Sequence, residues 1–160
     1  THQLVATASH GSPISPPPFM AGFVETETDP ETGKTDVIKM VGVVDCGTPI
    51  NRALARVQTE GGLSQGIGFA LFEDVQYQQN GKMMTDSFMN YKIPTRMDTG
   101  EIVVDFSESY EPTGPYGAKS IGEVVINTPA PAIAQAVCQA TGVRVTTLPI
   151  TPEKILMGQK

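Results

Sequence analysis

At 160 residues the chain is one domain's worth of sequence, long enough to bury a core. Its 16 glycines and 13 prolines, with an apolar fraction of 39 %, point to turns and irregular segments rather than to a helical bundle. A formal net charge of −6 with scattered basic residues excludes a nucleic-acid footprint, and no apolar run approaches the roughly twenty residues a membrane span needs. No secretory pattern is visible, and Cys46 and Cys138 stand far apart without CxxC or histidine spacing. A reduced, cytoplasmic location is expected, with no metal site built on the cysteines. His2 and His10 both fall in the first ten residues, which leaves no histidine-based triad. The chain begins at Thr1 rather than Met, so a cut domain or a processed piece is expected.

Residues 1–19 are polar and then proline-rich (Pro13, Pro16, Pro17, Pro18) and read as an extended arm or linker ahead of a domain over 20–160. Loose alternation over 19–27, the turn Asp29-Pro30-Glu31-Thr32-Gly33 and the apolar stretch ending at Val44 predict a β-hairpin, its second strand the better buried. Asp45 then opens a loop in which its carboxylate can accept from backbone N–H groups, and Asn51 is placed to cap a helix. Residues 52–72 predict that helix, with Ala53, Leu54, Val57, Leu63, Ile67, Ala70 and Leu71 as a partial apolar face. Within it lie Gly61, Gly62, Gly66 and Gly68, each costing about 1 kcal/mol against alanine. Such a helix implies close approach by another backbone or by a ligand. Gln58 and Gln65, seven apart, share one face and offer amide donors and acceptors, either to solvent or to that ligand.

Residues 73–79 and 82–89 flank Asn80-Gly81 and predict a second hairpin. Ile102, Val103, Val104 and Phe106 predict a short strand. Thr128 as cap, Pro129 in the first turn and Gly142 as stop bound a second helix with Ile133, Ala136, Val137 and Ala140 on its apolar face. A strand over 143–148 and a short closing element over 149–157 complete an α+β architecture of antiparallel strands and hairpins with two principal helices.

The stretch on which the chain turns is Gly114-Pro115-Tyr116-Gly117-Ala118-Lys119-Ser120-Ile121-Gly122-Glu123. It is a glycine-punctuated loop that ends on a carboxylate just before Val124, Val125 and Ile126. A carboxylate half-withdrawn from water at such a boundary is a proton acceptor near neutral pH; a solvated Glu123, or one paired to Lys119, is the plain alternative. A hydrolase pairing Glu123 with Glu108 or Glu111 is disfavoured, because a sugar cleft calls for aromatics and only 6 % of residues are aromatic, none of them Trp.

Seven ordered motifs carry a resemblance. They are Asp29-x-x-Thr32-Gly33; Asp45-x-Gly47 with Asn51; Gln58-x-x-Gly61-Gly62-x-x-Gln65-Gly66-x-Gly68; Tyr91-x-Ile93-Pro94-Thr95; Gly117-Ala118-Lys119-x-x-Gly122-Glu123; Pro131-Ala132-Ile133; and Thr151-Pro152-Glu153. From about residue 20 onward the chain resembles the C-terminal part of the molybdopterin-binding subunit of the xanthine dehydrogenase and molybdenum hydroxylase family, with the bacterial purine-type branch most similar. The resemblance implies that Glu123 is the catalytic glutamate, a general base in hydroxylation of an N-heterocycle such as a purine with oxygen derived from water. It implies molybdopterin contacts from Gln58 and Gln65 and from a loop holding Lys119, Ser120 and Ile121. Ser120 stands where the family commonly has glycine. It also implies an upstream molybdenum-subunit segment, and Fe–S clusters and FAD on other domains or subunits, since this chain has neither an Fe–S cysteine pattern nor a dinucleotide fingerprint. The chain alone is therefore expected to be inactive. An aldehyde-oxidising relative and a non-catalytic cofactor-binding or assembly module are the alternatives.

Overall fold

The structure, a computed structural model, describes residues 4–158. The part of the arm at residues 1–3, including His2, lies outside the described residues. Residues 4–18 form neither helix nor strand, and most are exposed.

Strands β1 (Phe19–Thr28) and β2 (Thr35–Asp45) pair antiparallel from Phe19↔Asp45 to Thr28↔Thr35, with a register shift between Glu25 and Thr26. The turn closes where expected: Gly33 N–H donates to Asp29 O (2.8 Å) and Asp29 N–H to Lys34 O (2.9 Å). β2 is the better buried strand and is central in the sheet, burying Val37, Met40 and Val44. Strand β3 (Glu101–Phe106) completes the order β1-β2-β3 but runs parallel to β2, from Lys39↔Glu101 to Val44↔Phe106. A parallel neighbour requires a crossover, and helix α1 (Arg52–Leu71) supplies it.

α1 begins as the sequence predicts, with Asn51 Oδ1 accepting from Leu54 N–H (3.0 Å). Helix α2 (Pro129–Thr141) starts on Pro129 and ends at Gly142, whose φ of 75° is left-handed. Thr128 occupies the cap position, but its side chain makes no cap bond and lies against Met20 Sδ (3.8 Å). Helix α3 (Pro152–Gly158) is the closing element. The core joins these parts: Met40 from the sheet, Leu63, Ile67 and Ala70 from α1, Ile133 and Val137 from α2, and Ile150 and Ile155 from the C-terminal segment.

Several expectations give way to packing. Residues 73–89 form a single bridge, Tyr77↔Met83, around Gly81 rather than a laddered hairpin. Nearly every residue there is exposed, so no buried face rewards a longer ladder. Residues 143–148 are irregular; Val143 is buried, but no neighbouring edge is taken up. On α1, Leu54 and Val57 are 66 % and 64 % exposed, so the buried stripe begins later, at Thr59.

The helix glycines divide. A Cβ on Gly62 would overlap the Val125 side chain, and one on Gly66 would come within 2.6 Å of Pro129 Cγ, while one on Gly61 would meet nothing within 4 Å. Gly62→Ala should therefore cost about 1–3 kcal/mol through overpacking, whereas Gly61→Ala should gain up to about 1 kcal/mol of helix propensity. Paired urea unfolding curves read the opposite signs.

Candidate functional site

The loop of Gly114 to Glu123 is built from its anchors. Its first turn, Pro115–Gly117, holds Tyr116 at φ 54°, an uncommon conformation for a side-chain-bearing residue, followed by Gly117 at φ 82°. The chain then lies along the end of β2: Thr48 N–H donates to Gly117 O (2.8 Å) and Lys119 N–H to Cys46 O (2.7 Å). Gly47, at φ 67°, has no room for a Cβ, which would overlap the Gly117 carbonyl.

Lys119 strengthens this anchor. Its side chain is 8 % exposed, its Nζ donates to Asp45 Oδ2 at 2.6 Å, and it lies 5.2 Å from the centre of the Phe19 ring. Asp45 Oδ1 also accepts from Ser109 Oγ (2.6 Å) and, as the sequence suggests, from Gly47 N–H (3.0 Å). Burial pushes the Asp45 carboxyl up, but the bonds from Lys119, Ser109 and Gly47 outweigh it and hold the group below the usual carboxylate range. The Cys46 thiol is pushed up by burial.

Beyond this anchor Ser120 is exposed, and Ile121 packs against the small cluster of Val44, Cys46 and Val125. Gly122 O accepts from Gln58 Nε2 of α1 (3.0 Å), bringing together residues 64 apart in sequence. A short 3₁₀ turn, Val124–Ile126, follows and buries Val125. A cavity of about 350 Å³ is lined by Gln58, Gly61, Gln65, Gly122 and Glu123 among others. A neighbouring apolar cavity of about 480 Å³ shares Gln58 and Gly122 and adds Leu54, Lys119 and Ile121.

Five of the six predicted site residues thus line the two adjoining cavities, Gln58, Gln65 and Glu123 the first and Gln58, Lys119 and Ile121 the second, and Ser120 stands exposed on the connecting loop. Two expectations change. Glu123 is exposed rather than half-withdrawn, because the buried position at this boundary falls to Val125, which fills the space left by Gly62. Lys119 has its ammonium committed to Asp45, which makes it an anchor of the loop. Glu108 bonds Arg52 and lines a different cavity, with Tyr110, so it does not face Glu123 as a hydrolytic partner. Glu111 is taken up by Thr113, whose N–H and hydroxyl hold its carboxyl below the usual range. Sequence reasoning assigned Asp45 to backbone N–H groups of its loop and missed its pairing with Lys119, 74 residues away.

A cofactor would meet a set of neutral donors here. The Gln58 and Gln65 amides line the cavity, Gly61 leaves open space, and the N–H groups of Ser120, Ile121, Gly122 and Glu123 find no acceptor among the described residues. Such donors fit an oxygen- and sulfur-rich anionic group. No group of three or more His, Cys, Asp or Glu that could hold a metal ion directly is present among the described residues, so a metal here would arrive on its own organic ligand.

The α+β scaffold thus presents a glycine-rich helix and a carboxylate-tipped loop to one groove. Residues 1–100 match the family model for the molybdopterin cofactor-binding domain, and the chain belongs to that family of molybdenum hydroxylase domains. A putative xanthine dehydrogenase molybdenum-binding subunit of Escherichia coli is 38 % identical over 154 residues, covering 96 % of this chain and 20 % of that protein. An aldehyde oxidoreductase of Megalodesulfovibrio gigas is 37 % identical over 144 residues, covering 89 % of this chain and 15 % of that protein. The crystal structure of quinoline 2-oxidoreductase from Pseudomonas putida superimposes with a TM-score of 0.80 at 35 % identity, covering 85 % of this chain and 18 % of that one. The chain thus spans about one fifth or less of the length of the proteins it matches. Among the described residues no helix is long and apolar enough to cross a membrane.

Proposed function

We propose that this chain forms the Glu123-bearing wall of a molybdenum hydroxylase active site and acts on an N-heterocycle, a purine being the leading case. The observation that carries the reading is the convergence of Gln58, Gln65, Gly122 and Glu123 on one groove. Molybdopterin, when bound, would supply the two-electron redox chemistry, while the protein supplies position and proton handling. Glu123 accepts the proton at its carboxylate; its exposure in this chain leaves that oxygen accessible from the groove. Gln58, Gln65 and the backbone N–H groups of Ser120 to Glu123 hold the cofactor's polar edge, with Ile121 packed beneath the loop.

The reading includes an upstream molybdenum-subunit segment, Fe–S and FAD partners that carry electrons away, and a cytoplasmic setting that suits two free cysteines. The chain alone is inactive in this reading, since one wall does not enclose a substrate. The aldehyde oxidoreductase likeness favours an aldehyde as the second substrate class.

The test is a panel of hypoxanthine, nicotinate and an aldehyde, offered to the subunit assembled with its partners and an artificial electron acceptor. Turnover of hypoxanthine above the other two supports the purine assignment; turnover of the aldehyde alone replaces it with the second class. Absence of molybdenum from the assembled protein overturns the cofactor reading itself.

A further inference from the structure

Between Lys119 and Val125 the chain packs through Ile121 against Val44, Cys46 and Val125, while Ser120, Gly122 and Glu123 are exposed. Lys119 is fixed by its backbone bond to Cys46 O and by its ion pair, and Val125 is fixed by burial at 1 % exposure. The intervening Gly122 has open space around its Cβ position, and its backbone is not in the left-handed region, so neither packing nor conformation demands glycine there. A glycine in open space is free to sample many conformations. It directly precedes Glu123, so its freedom becomes positional scatter of the carboxylate. The 3₁₀ turn that follows adds backbone bonds from Ile126 N–H to Glu123 O (3.2 Å) and from Asn127 N–H to Val124 O (3.4 Å), and among the described residues one side-chain bond reaches this span from another element: Gln58 Nε2 to Gly122 O at 3.0 Å. A carbonyl acceptor requires the amide nitrogen to face it, which fixes the orientation of the Gln58 side chain and turns its Oε1 away.

We infer that Gln58 is a positioning residue for Glu123: its amide clamps the Gly122 carbonyl and thereby sets where the carboxylate sits. The inference rests on the proposed role of Glu123 and adds to a cofactor contact at Gln58 a second, separable task. Misplacement of a reacting group by about 1 Å can cost about 10²-fold in rate, so a single clamp on a glycine hinge has large leverage.

The experiment is a double-mutant cycle in the assembled holoenzyme, with Gln58→Met and Glu123→Gln. Gln58→Met keeps the length of the side chain and removes the donor. It is expected to lower kcat by about 10- to 100-fold at near-constant KM and molybdenum content, and to have no further effect when Glu123 is already Gln, because two residues acting through one step are not additive. Deuterium uptake over residues 120–126 should rise in the cofactor-free variant, a readout independent of turnover. Gln58→Glu, which sets an acceptor against the carbonyl, should reproduce both effects and covers the case in which the methionine variant fails to assemble. Multiplicative rate losses, molybdenum loss and unchanged deuterium uptake would show that Gln58 only holds cofactor, and the inference fails while Glu123 keeps its role. A fully active Glu123→Gln enzyme overturns both.

Discussion

Glu123→Gln in the assembled, molybdenum-loaded enzyme should lose at least about 10² in turnover, the lower end of what a general base contributes, equivalent to about 2.7 kcal/mol of transition-state stabilisation. The substitution keeps shape and hydrogen-bonding reach and removes basicity. In the chain itself the side chain is exposed, so the unfolding midpoint should move within the ±0.5 kcal/mol typical of surface changes. The separation of these two readouts is the force of the prediction. A variant that keeps its molybdenum and stability but not its rate assigns Glu123 to the chemistry. A variant as active as wild type removes Glu123 from the mechanism and leaves the chain as a cofactor-binding or assembly module.

What the sequence reveals and what it withholds separate along a physical line. Features encoded within a few residues are legible. Asp29 to Gly33 closes the first hairpin, Asn51 caps α1, and Pro129 and Gly142 bound α2, because turn and cap chemistry is local. Helical spacing places Gln58 and Gln65 on one face of α1, and their grouping with Glu123 is implied only by the resemblance the ordered motifs carry. Features decided by distant partners are not legible. β3 reads as a strand from its apolar run, but its parallel pairing with β2 depends on the crossover through α1. Leu54 and Val57 fit a helical apolar stripe, yet among the described residues nothing covers their side chains. The Asn80-Gly81 signal is strong for a turn and delivers one, but a ladder needs a face to bury. The glycines of α1 show the same limit: Gly62 and Gly66 are occupied by Val125 and Pro129, Gly61 is open, and no local pattern distinguishes them.

Lys119→Met should lower stability by about 2–4 kcal/mol, somewhat less than the roughly 3–5 kcal/mol for breaking a fully buried ion pair. The full penalty is reduced because Asp45 keeps its bonds from Ser109 and Gly47 and is 21 % exposed. The pH dependence identifies the cause. In the folded wild type Asp45 sits below its ordinary value: burial opposes ionisation, and the Lys119, Ser109 and Gly47 bonds overcome it. A depressed carboxylate stabilises the fold above its unfolded value of about 3.9, and that contribution disappears as the pH falls through the lower folded value. Without Lys119 the burial penalty remains and the strongest opposing bond is gone, so the variant draws less stability from an ionised Asp45 and loses less as that carboxyl is protonated. The stability gap between the two proteins should be widest above about pH 5 and narrow steadily toward pH 3. An ion-pair origin also predicts coupling: on an Asp45→Asn background, Lys119→Met should cost less than it does alone. A gap that stays constant with pH and persists in Asp45→Asn would instead trace the loss to the lysine stem and its contact with the Phe19 ring. The functional weight of the result follows from geometry, because Lys119 pins the backbone at Cys46 four residues before Glu123, and any slack introduced there is opposed only by the packing of Ile121 and the Gln58 bond among the described residues.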